Sequence, residues 1–227
     1  MAEHAERYAW KEIPGSSHDW LQRRILELPA GLRLLDAGAA GGHLGRAVRQ
    51  RCTYVAGVEP DPELPESARE GYDEWRRTDL AGCGAWSEPF DVVVFADVLE
   101  HVARPEEVLA RTRGWLRDGG RLFVSLPNVA NASVRGALIL GRFRYADRGI
   151  LDRTHLRFFT RATGRELLEA AGFRVDAIRP TAMPYELALP ALGRAPWRGP
   201  VRALASGTAR VWPTLFAYQF VYEATKA

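Results

Sequence analysis

Residues 32–45, LRLLDAGAAGGHLG, read as a buried strand ending on Asp36, a tight turn of small residues and the start of a helix. In such a turn the backbone can approach a ligand closely: Gly38 and Gly42 leave room or freedom that a side chain would remove, and the following helix presents free N–H groups. A strand-to-helix turn with no ligand has the same composition, so its surroundings decide. The next apolar run ends on Glu59. An acid at the end of that second strand, about twenty residues on, can accept hydrogen bonds from both hydroxyls of a ribose, a feature shared with dinucleotide enzymes.

Outward from this turn, short apolar runs alternate with helical segments, the pattern of a parallel sheet covered on both faces. Strands are predicted at Leu32 to Asp36, Tyr54 to Glu59, Trp75 to Thr78, Asp91 to Ala96 and Arg121 to Leu126. Helices are predicted between them at Gly42 to Arg51, Glu63 to Glu70, Gly82 to Trp86 and Pro105 to Leu116. The second half reads as a helix at Asn131 to Leu140, an Arg-rich loop at Gly141 to His155, and a helix at Thr160 to Ala171 with Thr160 as N-cap and Gly172 at its end. A strand follows at Phe173 to Ile178, and LFAYQFVYEA near the end alternates with the period of a last strand. Between them Thr181 to Pro213, rich in Pro and Gly, reads as an insertion with one short helix near Val201 to Ala209.

The chain has 227 residues, 47% of them hydrophobic, enough for one α/β domain with elaborations. Its formal net charge is only +3, and basic residues are interleaved with acids, so nucleic acid is not an expected partner. Cys52 and Cys83 have no metal-ligand spacing and read as reduced thiols. The charged start MAEHAERYAW lacks the apolar core of a signal peptide, and no stretch has the apolar length of a membrane span. A cytoplasmic protein without stable membrane insertion is expected.

Four further features complete the pattern: Asp79 after the third strand, FDVVVFADVLEHV at 90–102, LRDGGRLFVSLPN at 116–128, and the closing pair of strands. With these the chain resembles the class I S-adenosylmethionine (SAM) dependent methyltransferases, particularly the "DVLEHV" branch of ubiquinone-biosynthesis-like O-methyltransferases. The resemblance implies an α/β Rossmann-like sheet of seven strands, order 3-2-1-4-5-7-6, with the seventh antiparallel and helices on both faces. It implies a methyltransferase domain over 31–227, preceded by an N-terminal helical cap over 1–30, with substrate-side elaborations at 127–160 and 181–213. It also implies that Asp36, Gly38, Ala40 and Gly42 form the SAM loop, that Glu59, followed by Pro60, holds the ribose, and that Asp79 and Leu80 meet the adenine. Phe95, Ala96 and Asp97 would lie beside the methionine part, and His18 would close over the cofactor. Ala40 departs from the usual glycine, which is tolerable if its φ is negative. The strand-four end lacks the Asn/Asp-Pro-Pro-Tyr/Phe segment of nucleic-acid amino-methylating enzymes.

The block PNVANASVRGALILGRFRYADRGILDRTHLRFFT at 127–160 looks like that of glycan-associated and natural-product methyltransferases. Its arginines, outnumbering Asp147 and Asp152, could clamp an anionic acceptor through phosphate or carboxylate, or pair with nearby acids on a solvated loop. Methyl transfer to a hydroxyl needs an aligned acceptor and removal of its proton, a task suited to neutral imidazole. His155, with Asp152 three residues before it to orient the ring, and His101, behind Glu100, are the candidate bases; each could equally fix a loop or turn. His4 and His43 read as peripheral, and Tyr8, Trp10 and Trp20 as packing. No compact Asp/Glu/His cluster suggests a metal site, so metal-free chemistry is expected. The expected activity is O-methylation of a small-molecule, sugar or natural-product acceptor. N- or carboxyl-methylation, a non-catalytic SAM-binding module and, least, a nicotinamide oxidoreductase are the alternatives.

Overall fold

The structure is a computed structural model that describes residues 13–183 and 198–227. Residues 1–12, with His4, Tyr8 and Trp10, and residues 184–197 of the expected insertion lie outside the described residues. The elements in chain order are α1 (Ser17–Leu26), β1 (Leu32–Ala37), α2 (His43–Val48), β2 (Cys52–Val58), β3 (Glu74–Arg76), β4 (Phe90–Ala96), α3 (Pro105–Trp115) and β5 (Leu116–Pro127). They continue with α4 (Ala132–Ile139), α5 (Arg161–Ala170), β6 (Phe173–Thr181), α6 (Arg198–Val211), α7 (Pro213–Phe216) and β7 (Gln219–Lys226). The sheet runs β3-β2-β1-β4-β5-β7-β6, and β7 is antiparallel to both neighbours.

This order makes β1 and β4 a topological switch point, because the chain winds to opposite sides from them and leaves a crevice outside their carboxyl ends. Asp36 is level with Gly57 on β2 and Val94 on β4, so the loops after all three strands open at one rim. Alternate residues of a strand face opposite sides. Leu35, Val93, Phe95 and Val124 therefore pack on one face, while Leu34, Val94 and Phe123 pack on the other with Leu21 and Ile25 of α1.

Helix ends follow local chemistry. Ser16 caps α1 by accepting the Asp19 N–H, and Thr160 and Thr163 form a reciprocal capping box on α5, which ends before Gly172 at φ +80°. Several predicted elements differ. Residues 63–70 form only a short 3₁₀ turn, Glu66–Arg69, opening after Pro65. Residues 82–86 form no helix, because arginine side chains take that loop's carbonyls: Arg76 donates to Gly84 and Ala85 and lies 3.4 Å over the Trp86 ring centroid, and Arg111 donates to Ala81. Helix α6 is longer than predicted, since Pro200 sits in its first turn, where its missing N–H has no helical partner to lose. The final strand starts at Gln219, and Phe216 belongs to α7 instead. Among the described residues no helix is long and apolar enough to cross a membrane.

Candidate active site

A cavity of about 890 Å³ opens at the carboxyl ends of β1, β2 and β4. Asp36, Glu59, Asp79 and Asp97 are among the acids that line it. Asp36 closes β1 at 2% exposure, and its carboxyl is pushed up to about 7 by burial, against the hydrogen bond it accepts from the Tyr72 hydroxyl at 2.7 Å. Glu59 accepts the amides of Ala40 (2.9 Å) and Asp61 (3.0 Å), and burial raises its pKa while those bonds oppose the rise. Asp79 and Leu80 also line the cavity, with Asp79 accepting the Gly82 N–H.

The turn after β1 does not have the expected backbone at Ala40, whose φ is +44°. That conformation turns its N–H onto Glu59 and costs a Cβ-bearing residue about 1–2 kcal/mol. Gly42, at φ +70°, is the N-cap of α2, and a Cβ there would sit 1.8 Å from the Ala68 carbonyl oxygen. Gly42 thus shapes the turn but does not line the cavity. Neither does Phe95, which the strand alternation sends into the core at 0% exposure. Gly38, Ala40, Glu59, Pro60, Leu80, Ala96, Asp97 and His18 do line it. So does His43, the first residue of α2, although its place in the sequence reads as peripheral.

Asp97 is the second non-glycine residue in left-handed backbone, at φ +58°. Ser125 holds it there, accepting the Asp97 N–H at 2.8 Å and donating its own hydroxyl to the carboxylate. Left-handed residues so held are a common feature of ligand sites. Helix α1 brings His18 Nε2 to 3.8 Å from the other Asp97 oxygen.

An acid at the end of each of the first two strands, around a tight turn of small residues, is the arrangement expected above. Residues 2–178 match the family model described as a methyltransferase domain. The chain belongs to this family. It is a class I SAM-dependent methyltransferase. The methyltransferase is 30% identical over 185 residues to a ubiquinone biosynthesis O-methyltransferase of Xanthomonas axonopodis pv. citri (strain 306), with 77% of this chain and 71% of the relative covered. It is 28% identical over 181 residues to the enzyme of that name from Xylella fastidiosa (strain 9a5c), with 71% of each covered. Among solved structures, the 1,6-didemethyltoxoflavin-N1-methyltransferase of Burkholderia thailandensis superposes with a TM-score of 0.63 at 18% identity, covering 99% of this chain and 83% of that one. An S-adenosylmethionine dependent methyltransferase from Mesorhizobium loti gives 0.60 at 19% identity, covering 93% and 99%.

The cavity of the methyltransferase fits SAM on its own chemistry. Its acids suit a ligand that carries sulfonium and ammonium charges and ribose hydroxyls, and Val58, Pro60 and Leu80 offer apolar surface for a flat base. Asp36, Glu59, Asp79 and Asp97 would hold it.

At the far end of the same cavity lie His101, in the 3₁₀ turn after β4, and His155, on the loop before α5. Their ring centroids are 4.8 Å apart. His155 is 3.0 Å from the Ile150 carbonyl through Nδ1, and His101 is 3.2 Å from the Thr154 carbonyl through Nδ1. A carbonyl only accepts, so each Nδ1 carries the proton and each Nε2 the lone pair. Burial, with His101 close by, lowers the pKa of His155. The expected orienting role of Asp152 is therefore filled by Ile150: the Asp152 carboxylate instead accepts the Thr154 amide and hydroxyl. The ligand atoms of Glu100, His101 and His155 lie within 4.8 Å of one another, a compact cluster that could hold a divalent cation and that the sequence analysis did not find. Its members meet only because the loop folds back onto β4.

The arginine block divides. Arg153 pairs with Asp147, Arg157 donates to the Ala103 carbonyl and Arg135 to that of Ala130, so three of the six are structural. Arg148 lines the cavity. Tyr72 and Ser125 were also missed: Ser125 had a signal, one polar residue in an apolar strand, whereas nothing in spacing marked Tyr72.

Proposed function

We propose that this methyltransferase methylates an oxygen of a small acceptor, a sugar or natural product, with His101 or His155 taking the acceptor proton. The observation that carries the reading is the pair of imidazoles in the cavity, each oriented by a backbone carbonyl so that Nε2 is the basic atom. SAM, when bound, supplies an electrophilic methyl group: the acceptor oxygen forms the new bond to carbon and the sulfur–carbon electron pair stays on sulfur. The chain's part is to orient the acceptor and receive the hydroxyl proton on Nε2. A desolvated imidazole, kept neutral at pH 7, is ready for that proton. The names of the curated relatives support oxygen as the acceptor atom. Residues 127–160 supply His155 and Arg148 to the cavity wall, which favours their reading as a substrate-side elaboration and an acceptor with anionic character.

A second reading follows from the Glu100, His101 and His155 cluster. A divalent cation held there would lower the pKa of the acceptor hydroxyl, and the histidines would be ligands in place of bases. The discriminating experiment offers panels of hydroxylated, amino and carboxylic acceptors, follows SAM consumption and identifies products by mass spectrometry. O-methyl products retained in chelator, and lost in the folded double variant His101→Ala, His155→Ala, support the histidine base. Loss in chelator with rescue by added cation supports the second reading, and exclusively N-methyl products overturn oxygen methylation.

A further inference from the structure

Helix α2 begins with an unusual defect. Its N-cap is Gly42, which has no side chain to accept the amides of the first turn, and which cannot gain one because the Ala68 carbonyl occupies the space of a Cβ. The third amide of the helix, that of Gly45, is instead accepted at 3.1 Å by the hydroxyl of Tyr72, a residue outside the helix. That hydroxyl has one proton to give, and it gives it to Asp36 at 2.7 Å. One phenol oxygen thus joins the start of α2 to the acid at the end of β1, and both elements line the cofactor cavity.

The ring sits in a prepared slot. A Cβ on Gly45 would lie 2.3 Å from the ring carbon bearing the hydroxyl, and one on Gly57 of β2 would lie 3.0 Å from another ring carbon. Trp75 closes the slot edge-on, its centroid 5.0 Å from that of Tyr72.

We infer that Tyr72 is a positioning residue of the cofactor site, replacing the missing cap of α2 and holding the Asp36 carboxyl group aimed at the cavity. The inference rests on SAM as the ligand of this cavity and adds a residue to that site. The charged neighbours set its sign. Glu59 and burial disfavour the Asp36 anion, the Tyr72 hydrogen bond favours it, and Arg46 on α2 acts on the Tyr72 side. Because SAM is cationic, the ionised carboxylate is the form that favours binding, so losing the hydroxyl should weaken SAM most where Asp36 is closest to protonation.

The test is calorimetry of SAM binding to Tyr72→Phe, which keeps the ring in its slot, at several pH values from 6 to 9. The expected result is a dissociation constant weakened by roughly tenfold or more near pH 6.5, the scale of one hydrogen bond to a charged group, with the deficit shrinking toward pH 9. An unchanged constant, or the same deficit at every pH, overturns the inference, since a packing defect has no reason to titrate. Asp36→Asn is the companion variant and does not depend on Tyr72→Phe folding. Its SAM affinity should be flat over the same range; if it keeps the wild-type pH dependence, Asp36 is not the titrating group and the inference fails. Absence of SAM binding by the wild-type chain would instead sink the cofactor reading itself.

Discussion

The imidazoles of His101 and His155 meet edge to face, at an interplanar angle of 74°, although one follows β4 and the other sits on the loop before α5, with α3, β5 and α4 between them. Rings this close share one site, and a single acceptor proton has only one destination. The single variants His101→Ala and His155→Ala should therefore be non-additive. The variant that removes the base should cost ~10²- to 10⁴-fold in turnover, and the double variant little more than the worse single one. Rates of the three proteins with one acceptor decide it; losses that simply multiply would mean the two rings act independently.

Asp36 should make the ligand-free protein less stable as pH rises. Its carboxyl, ordinarily near 3.8, sits at about 7 in the fold, because burial penalises the anion. Between those values the folded chain keeps a proton that the unfolded chain has lost. Stability is therefore greatest below about pH 4, falls through the window and levels off above 7. Asp36→Asn cannot ionise and still offers an oxygen to Tyr72. It should be more stable than wild type at pH 8, by something on the order of a few kcal/mol, with the difference shrinking to about 1 kcal/mol near pH 4.5. Urea unfolding at the two pH values without SAM measures this; the same difference at both removes Asp36 as the cause.

Ala40→Gly should stabilise the methyltransferase. The residue sits at φ +44°, where glycine escapes the Cβ penalty of about 1–2 kcal/mol. The greater freedom of glycine in the unfolded chain returns about 0.4–1 kcal/mol. A net gain of ~0–1.6 kcal/mol, or a melting point higher by up to roughly 5 °C, is expected by calorimetric scan. A lower melting point would mean that the alanine methyl makes a contact worth more than its strain.

Glu59→Ala should weaken SAM by about 1–3 kcal/mol, the scale for lost charge-assisted hydrogen bonds. Part of that loss comes from the turn itself, since Glu59 holds the amides of Ala40 and Asp61 as well as facing the cavity. Titration calorimetry with SAM, S-adenosylhomocysteine and NAD checks both affinity and selectivity. NAD binding in place of SAM, or unchanged SAM affinity in the folded variant, would remove Glu59 from the role assigned to it.

The sheet and the cofactor turn were legible in the residues because both rest on local rules. Strands buried on two faces must be apolar throughout, a close-approach turn must be built of small residues, and an acid at a strand end is visible as such: Asp36 and Glu59 were found this way, whereas Asp97 was implied by the family resemblance. The local rules misjudged residues whose fate depends on a neighbour far along the chain. Phe95 precedes Ala96 by one position, yet strand alternation turns it into the core while Ala96 meets the cavity. The segment 82–86 has a helical look but lies as a loop because Arg76 takes its carbonyls at Gly84 and Ala85. Asp152 is spaced to orient His155, but the backbone of Ile150 reaches the ring first. The residues by themselves therefore marked Asp36 and Glu59 at the strand ends around the turn, through periodicity and the steric needs of a tight bend, while the sheet order followed from the family resemblance that these motifs carry. Only the tertiary structure decided that Tyr72 caps α2, that Ser125 holds Asp97, and that His101 and His155 share one end of the cavity. Each of these is a meeting of side chains from separate elements, fixed by how the strands and loops pack and by no spacing along the chain.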